Sequence, residues 1–173
     1  SKEASKNVFQ ILQNQELVRK DEHIVRLFLY GKKEENFMKK EIRVLVVEPM
    51  RKPYVKTIPD TLEAIYQVIE GDCMQVVPLY GMNIKNAVIV CNDDGKLRGL
   101  PLNRLLCDKN GNPYDVIAGT FFLTGVDGED FCSLTDDQVQ ELFTLYEYPE
   151  LIFSTENGFC RIPIDPIQSE TEE

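Results

Sequence analysis

The sequence has no tryptophan, a single histidine, and after residue 119 a single basic residue, Arg161. It also has no C-x-x-C pair, no G-x-x-x-x-G-K-[ST] loop, no G-x-G-x-x-G turn and no apolar run long enough to span a bilayer. Each absence removes a class of function. His23 has no serine or cysteine in a nucleophile setting near it, so a histidine-based triad would require the N-terminal region to fold back over the rest. Without the glycine-rich cradles, the usual backbone sites for nucleotide phosphates are missing. The cysteines, Cys73, Cys91, Cys107, Cys132 and Cys160, are odd in number and widely spaced. That spacing suits neither a zinc site nor a redox pair, and it reads as reduced core thiols in a reducing bacterial cytoplasm. No secretory leader is evident. The expectation is a chain with no catalytic residues, no metal and no cofactor.

What is present is an ordinary globular composition with an uneven charge. Apolar residues make up 43% and charged residues 28% of 173 positions, enough for one domain that buries about two thirds of its unfolded surface. The formal charge of −10 is not spread evenly. Residues 1–41 carry nine basic and seven acidic side chains, and residues 42–119 carry nine of each. Residues 120–173 carry thirteen acids against Arg161. Such a segment repels nucleic acid and lipid phosphates and attracts basic protein surfaces. The plain alternative is a solvated face that serves solubility.

Periodicity gives an α+β architecture: a mixed or mostly antiparallel sheet with two packed helices, preceded by an N-terminal helical segment. Residues 1–40 read as a helical extension, 41–166 as the core domain and 167–173 as a disordered acidic tail. In the core, Val44-Leu45-Val46-Val47 is the continuous apolar run of a central strand covered on both faces. Strands are expected at Tyr54 to Ile58, Met74 to Leu79 and Ile84 to Cys91, with a tight hairpin turn at Asn92-Asp93-Asp94-Gly95. Asp60 is placed as the N-cap of a helix through Leu62, Ile65, Tyr66 and Ile69, closed by Gly71. Val116 to Val126 reads as one long strand, and Thr135-Asp136-Asp137-Gln138 as the capping box of a helix to about Tyr146. Leu151 to Ser154 and Phe159 to Ile164 can pair across Glu156-Asn157-Gly158.

Few positions suggest chemistry. Asp108, Asn110 and Asn112 imitate a calcium loop, but Pro113 stands where glycine makes the bend and Gly119 where a bidentate glutamate belongs, so the segment reads as a turn. Asp127, Glu129 and Asp130 surround Gly128 and read as a solvated loop. Asn103 and Arg104 interrupt an apolar run. They either line a pocket, with Arg104 offering its planar fork to carboxylate or phosphate, or serve internally, with Arg104 paired to an acid and Asn103 capping a short helix to Cys107.

The runs Ile42 to Pro49, Leu62-Glu63-Ala64, Cys91 to Leu97, Gly99 to Arg104, Ile117 to Phe122, Glu129-Asp130-Phe131 and Ser133-Leu134-Thr135 carry a resemblance. Together they resemble an uncharacterised domain family found in phages, plasmids and conjugative elements of Firmicutes, over residues 42–146. The resemblance implies an accessory gene of a mobile element and no catalytic residues. Joined to the acidic C-terminal third, it leads to a specific expectation: a counter-defence inhibitor, similar to anti-CRISPR or antirestriction proteins. Such a protein would occupy the basic nucleic-acid site of a host nuclease through Asp127, Glu129, Asp130, Asp136, Asp137, Glu141 and Glu147. The competing expectations are a nucleotide-sequestering protein using Asn103, Arg104, Tyr80 or Phe121, an enzyme working through Asp115 or Asp130, and a purely structural module.

Overall fold

The computed structural model describes residues 40–79 and 84–167. Its strands are β1 (Glu41–Val47), β2 (Tyr54–Pro59), β3 (Met74–Pro78), β4 (Ala87–Asn92), β5 (Leu102–Cys107), β6 (Pro113–Ala118), β7 (Phe121–Asp127), β8 (Asp130–Cys132), β9 (Glu150–Thr155) and β10 (Gly158–Pro163). The helices are α1 (Leu62–Ile69) and α2 (Asp136–Tyr146). Six strands form one sheet in the order β2-β1-β7-β4-β3, with β8 continuing beside the end of β7. The pairs β5–β6 and β9–β10 form two further ribbons. Every pairing among the described residues is antiparallel.

This corrects the α+β expectation. Strand makes up 47% and helix 15% of the described residues, which form a mostly antiparallel sheet with two short helices. The expected N-terminal helical segment and the tail from residue 168 lie outside the described residues.

The sheet's centre follows from its sequence. Alternate β1 residues face opposite ways. Ile42, Val44 and Val46 join Val90, Phe122 and the α1 residues Ile65, Val68 and Ile69 in one core. Leu45 and Val47 join Ile89, Phe121, Leu123, Ile117 and the α2 residues Leu142 and Tyr146 in the other. The sheet is therefore covered on both faces, as the continuous apolar run of β1 requires. Each fully buried Leu, Ile or Phe adds about 1.5–3 kcal/mol.

Four local expectations are overturned, each for an identifiable reason. Asn92 to Gly95 does not form a tight hairpin, because both edges of β4 are already taken, by β3 and by β7. Instead the Asn92 side chain accepts from the Asp94 amide at 3.0 Å, and the chain winds through turns to the β5–β6 ribbon. The segment Arg104 to Cys107 is strand, not a short helix. The long strand over Val116 to Val126 is two, broken at Gly119, whose φ of 85° turns the chain from one sheet into another. The N-cap of α1 is Thr61, whose hydroxyl accepts from the Ala64 amide at 3.2 Å, and not Asp60. The α2 capping box and the β9–β10 hairpin stand where the sequence puts them. No helix among the described residues is long and apolar enough to cross a membrane.

Candidate functional site

Helix α2 begins on a reciprocal cap. The Thr135 hydroxyl accepts from the Gln138 amide at 3.2 Å, and the Gln138 side chain accepts from the Thr135 amide at 2.9 Å. Asp136 and Asp137 follow in the first turn, where the helix dipole favours negative charge. Leu142 and Tyr146 then point into the core, which leaves Asp137 and Glu141, one turn apart, on the exposed side. The helix contains no lysine or arginine.

Gln138 also fixes where this end of α2 lies. Its amide donates to the Lys85 carbonyl at 2.9 Å and to the Asn86 carbonyl at 3.4 Å, and the Val126 amide donates to the same Asn86 carbonyl at 2.9 Å. The first turn of α2 and the β7–β8 turn are thus brought to one end of the large sheet. In that turn Asp127 and Asp130 face each other across the hairpin, with Gly128 at a φ of 63° between them and Glu129 exposed beside them. Like charges in that cross-strand register cost some stability. Among the described residues no three His, Cys, Asp or Glu side chains converge as metal ligands would.

The seven acids singled out by the sequence do not form one continuous patch. Arg43 binds Asp136 at 2.7 Å, and Lys52 binds Glu147 at 3.0 Å. The hydrogen bond to Glu147 raises the pKa of Lys52. Eleven helical residues span about 16 Å, so Glu147 sits at the far end of α2 from Asp136. Asp127, Glu129, Asp130, Asp137 and Glu141 remain, all exposed and without an ion pair among the described residues.

Asn103 and Arg104 are both 1% exposed. The Asn103 amide donates to the carbonyls of Val47 at 2.9 Å and Gly119 at 2.8 Å, tying β5 to the end of β1 and to the β6–β7 turn. Arg104 donates to the Asn103 side chain at 2.8 Å and to the Tyr146 carbonyl at 2.8 Å, closing the C-terminal end of α2. Burial lowers the Arg104 pKa, and the nearby Glu150 carboxylate opposes that effect. Glu150 is not hydrogen-bonded to Arg104 in turn. It accepts from the Leu105 amide at 2.8 Å and from Arg161 at 2.8 Å. The acid expected to pair with Arg104 is therefore a neighbour that acts through space.

The other candidates are equally occupied. Phe121 is buried against Tyr146, with ring centroids 5.6 Å apart at 74°. Asp115 holds Lys96. Asp108 accepts from the Asn112 and Asn110 amides, which lowers its pKa and confirms a turn. Tyr80 and His23 lie outside the described residues. Sequence reasoning missed Glu150, Tyr146 and Lys52. The one available signal was that Arg161, alone among thirteen acids, needs an acidic partner.

Residues 42–147 match the model of a family described as Domain of unknown function (DUF3846), and over this majority of its length the chain belongs to that family. No curated protein and no solved structure matches the chain.

Proposed function

We propose that this DUF3846 protein works by binding, and that it presents Asp127, Glu129, Asp130, Asp137 and Glu141 to a basic surface of a protein partner. The observation that carries the proposal is that these five carboxylates are exposed and have no ion pair among the described residues, while Asp136 and Glu147 are neutralised by Arg43 and Lys52. They sit on a capped helix and a tight turn tied together through Asn86, so little ordering entropy is lost when they are engaged. A set of fixed negative charges imitates the phosphates that a nucleic-acid site recognises.

In its specific form, the partner is a nuclease of the bacterial host, either guide-RNA-directed or a restriction enzyme, and the protein is a counter-defence inhibitor carried by a mobile element. The resemblance to phage, plasmid and conjugative-element proteins supports that context. The rival reading, nucleotide sequestration by Asn103 and Arg104, requires donors that are already engaged by Val47, Gly119 and Tyr146. The test is affinity capture from a lysate containing both nuclease types, using wild type beside a variant carrying D130N, D137N and E141Q. Capture of a nuclease by wild type alone supports the reading. Capture that is indifferent to those charges overturns it.

A further inference from the structure

The β9–β10 ribbon, which follows the residues matched to the family, carries its more apolar face outward. Alternate residues of a strand share a face, so Leu151 and Phe153 lie together, and the register sets Ile162 opposite Leu151 and Cys160 opposite Phe153. All four are exposed, Leu151 and Phe153 at 42% and Ile162 at 54%. The opposite face is the one that the fold uses. There Ile152 and Phe159 are half-buried, and Glu150 accepts from the Leu105 amide and from Arg161, each at 2.8 Å. This reverses the usual arrangement, in which the apolar face of antiparallel strands packs inward and the polar face meets water.

The size and the charge of this face decide what can cover it. Half-exposed side chains of this kind leave roughly 70–100 Å² each, so the face offers on the order of 300 Å², well short of the roughly 800 Å² that each copy gives to a stable dimer. Its strands of six residues run about 20 Å, the length of a short extended peptide. Glu156 stands at the hairpin turn and Asp165 just beyond the other end of β10, both exposed and without an ion pair among the described residues. A second copy on this face would set like charges together at both ends, and the net charge of −10 opposes it further. A segment with cations at its ends is attracted instead.

We propose that the outer face of the β9–β10 ribbon docks a short extended segment of a partner protein, apolar on one side and carrying lysine or arginine at both ends. Its apolar side chains cover Leu151, Phe153 and Ile162, with Phe153 as the aromatic anchor. Its cations meet Glu156 and Asp165. For so small an area the dissociation constant is on the order of 100 μM. The inference does not rest on the acidic-surface reading, because none of those five acids belongs to the ribbon.

The test is alkylation of the full chain with iodoacetamide, read cysteine by cysteine by mass spectrometry, in the presence of short synthetic peptides. One alternates Lys with Leu, a second Lys with Ser, and a third Glu with Leu. Cys160 lies on the face, and Cys73, also exposed, lies elsewhere and serves as the control. The Lys–Leu peptide is expected to slow labelling of Cys160 several-fold and leave Cys73 unchanged, and the other two peptides are expected to do neither. The double variant Phe153→Ser with Ile162→Ser, both at exposed positions, is expected to keep the wild-type thermal midpoint and weaken that protection at least about tenfold in peptide concentration. Equal protection by the Lys–Ser or the Glu–Leu peptide, no protection, or unchanged protection in the double variant overturns the proposal. A collapse of the variant's thermal midpoint would assign the two side chains to the fold and overturns it as well. So does a wild-type dimer in sedimentation equilibrium that the double variant dissociates, which would make a second copy the occupant.

Discussion

The buried polar pair Asn103–Arg104 and the exposed acids of α2 and the β7–β8 turn are opposites in how they are employed. The pair looks like a site in the sequence, because polar residues interrupting an apolar run attract attention. In the structure the Asn103 amide and a terminal guanidinium nitrogen of Arg104 are spent on carbonyls from β1, the β6–β7 turn and α2, and Arg104 Nε is buried without a partner. The seven acids read in the sequence as a partner-binding surface, with a solvated face as the alternative, and five of them have no ion pair among the described residues. The difference teaches that the groups available to a partner are those the fold leaves unused, and that sequence context alone does not separate the two.

The largest expected effect falls on the buried side of this comparison. Arg104→Ala leaves the Tyr146 carbonyl unpartnered and opens a cavity where two ribbons and α2 meet. Urea unfolding should show a loss of about 3–5 kcal/mol. Asn103→Ala orphans two carbonyls and should cost about 2–3 kcal/mol. A loss below about 1 kcal/mol for either would mean that the network is decorative.

Thr135→Ala bridges the two regions. Removing the cap should cost about 1 kcal/mol and loosen the first turn of α2, so partner affinity should fall although no charge has changed. If affinity is untouched, the acids do not need a fixed scaffold.

The pair D137N/E141Q sharpens the comparison from the exposed side. Stability should stay within about 0.5 kcal/mol of wild type, with any gain reflecting relief of repulsion one turn apart, while partner affinity falls about tenfold. A loss of stability like that of the buried variants would place these acids in the structure and not at an interface.

The smallest effect is in pH dependence. Burial, and then its hydrogen bond to Glu48, raise the Tyr54 pKa to about 12. Because the folded value lies above the ordinary 10, this stabilising contribution is complete below pH 10 and is lost as pH rises through 12. Thermal midpoints measured across that window should fall less steeply in Tyr54→Phe than in wild type.

Local signals were legible where a few adjacent residues carry them. Val44 to Val47 announced a strand buried on both faces, and Thr135 with Gln138 announced the start of α2. The paired segments after Pro149 announced the last hairpin. Partners set by topology were not legible. Asn92 to Gly95 has the residues of a hairpin, and only the pairing of β4 on both edges prevents one. Asn103 and Arg104 lie in a strand because β5 pairs with β6, and their side-chain acceptors Val47, Gly119 and Tyr146 are remote in sequence. The same limit applied to the site. Exposure of the acids could be read from their neighbours, but their sorting into paired and unpaired depends on Arg43 and Lys52, which only the folded chain brings near.

The central claim is that the unpaired acids displace nucleic acid from a basic site. It is tested most directly by titrating the protein into a cleavage reaction of the captured nuclease with its duplex target, at low and at physiological salt. The account predicts inhibition that competes with duplex concentration, weakens as salt rises, and is lost in the variant carrying D130N, D137N and E141Q. Inhibition that survives neutralisation of those three carboxylates, or that does not compete with duplex, would contradict it.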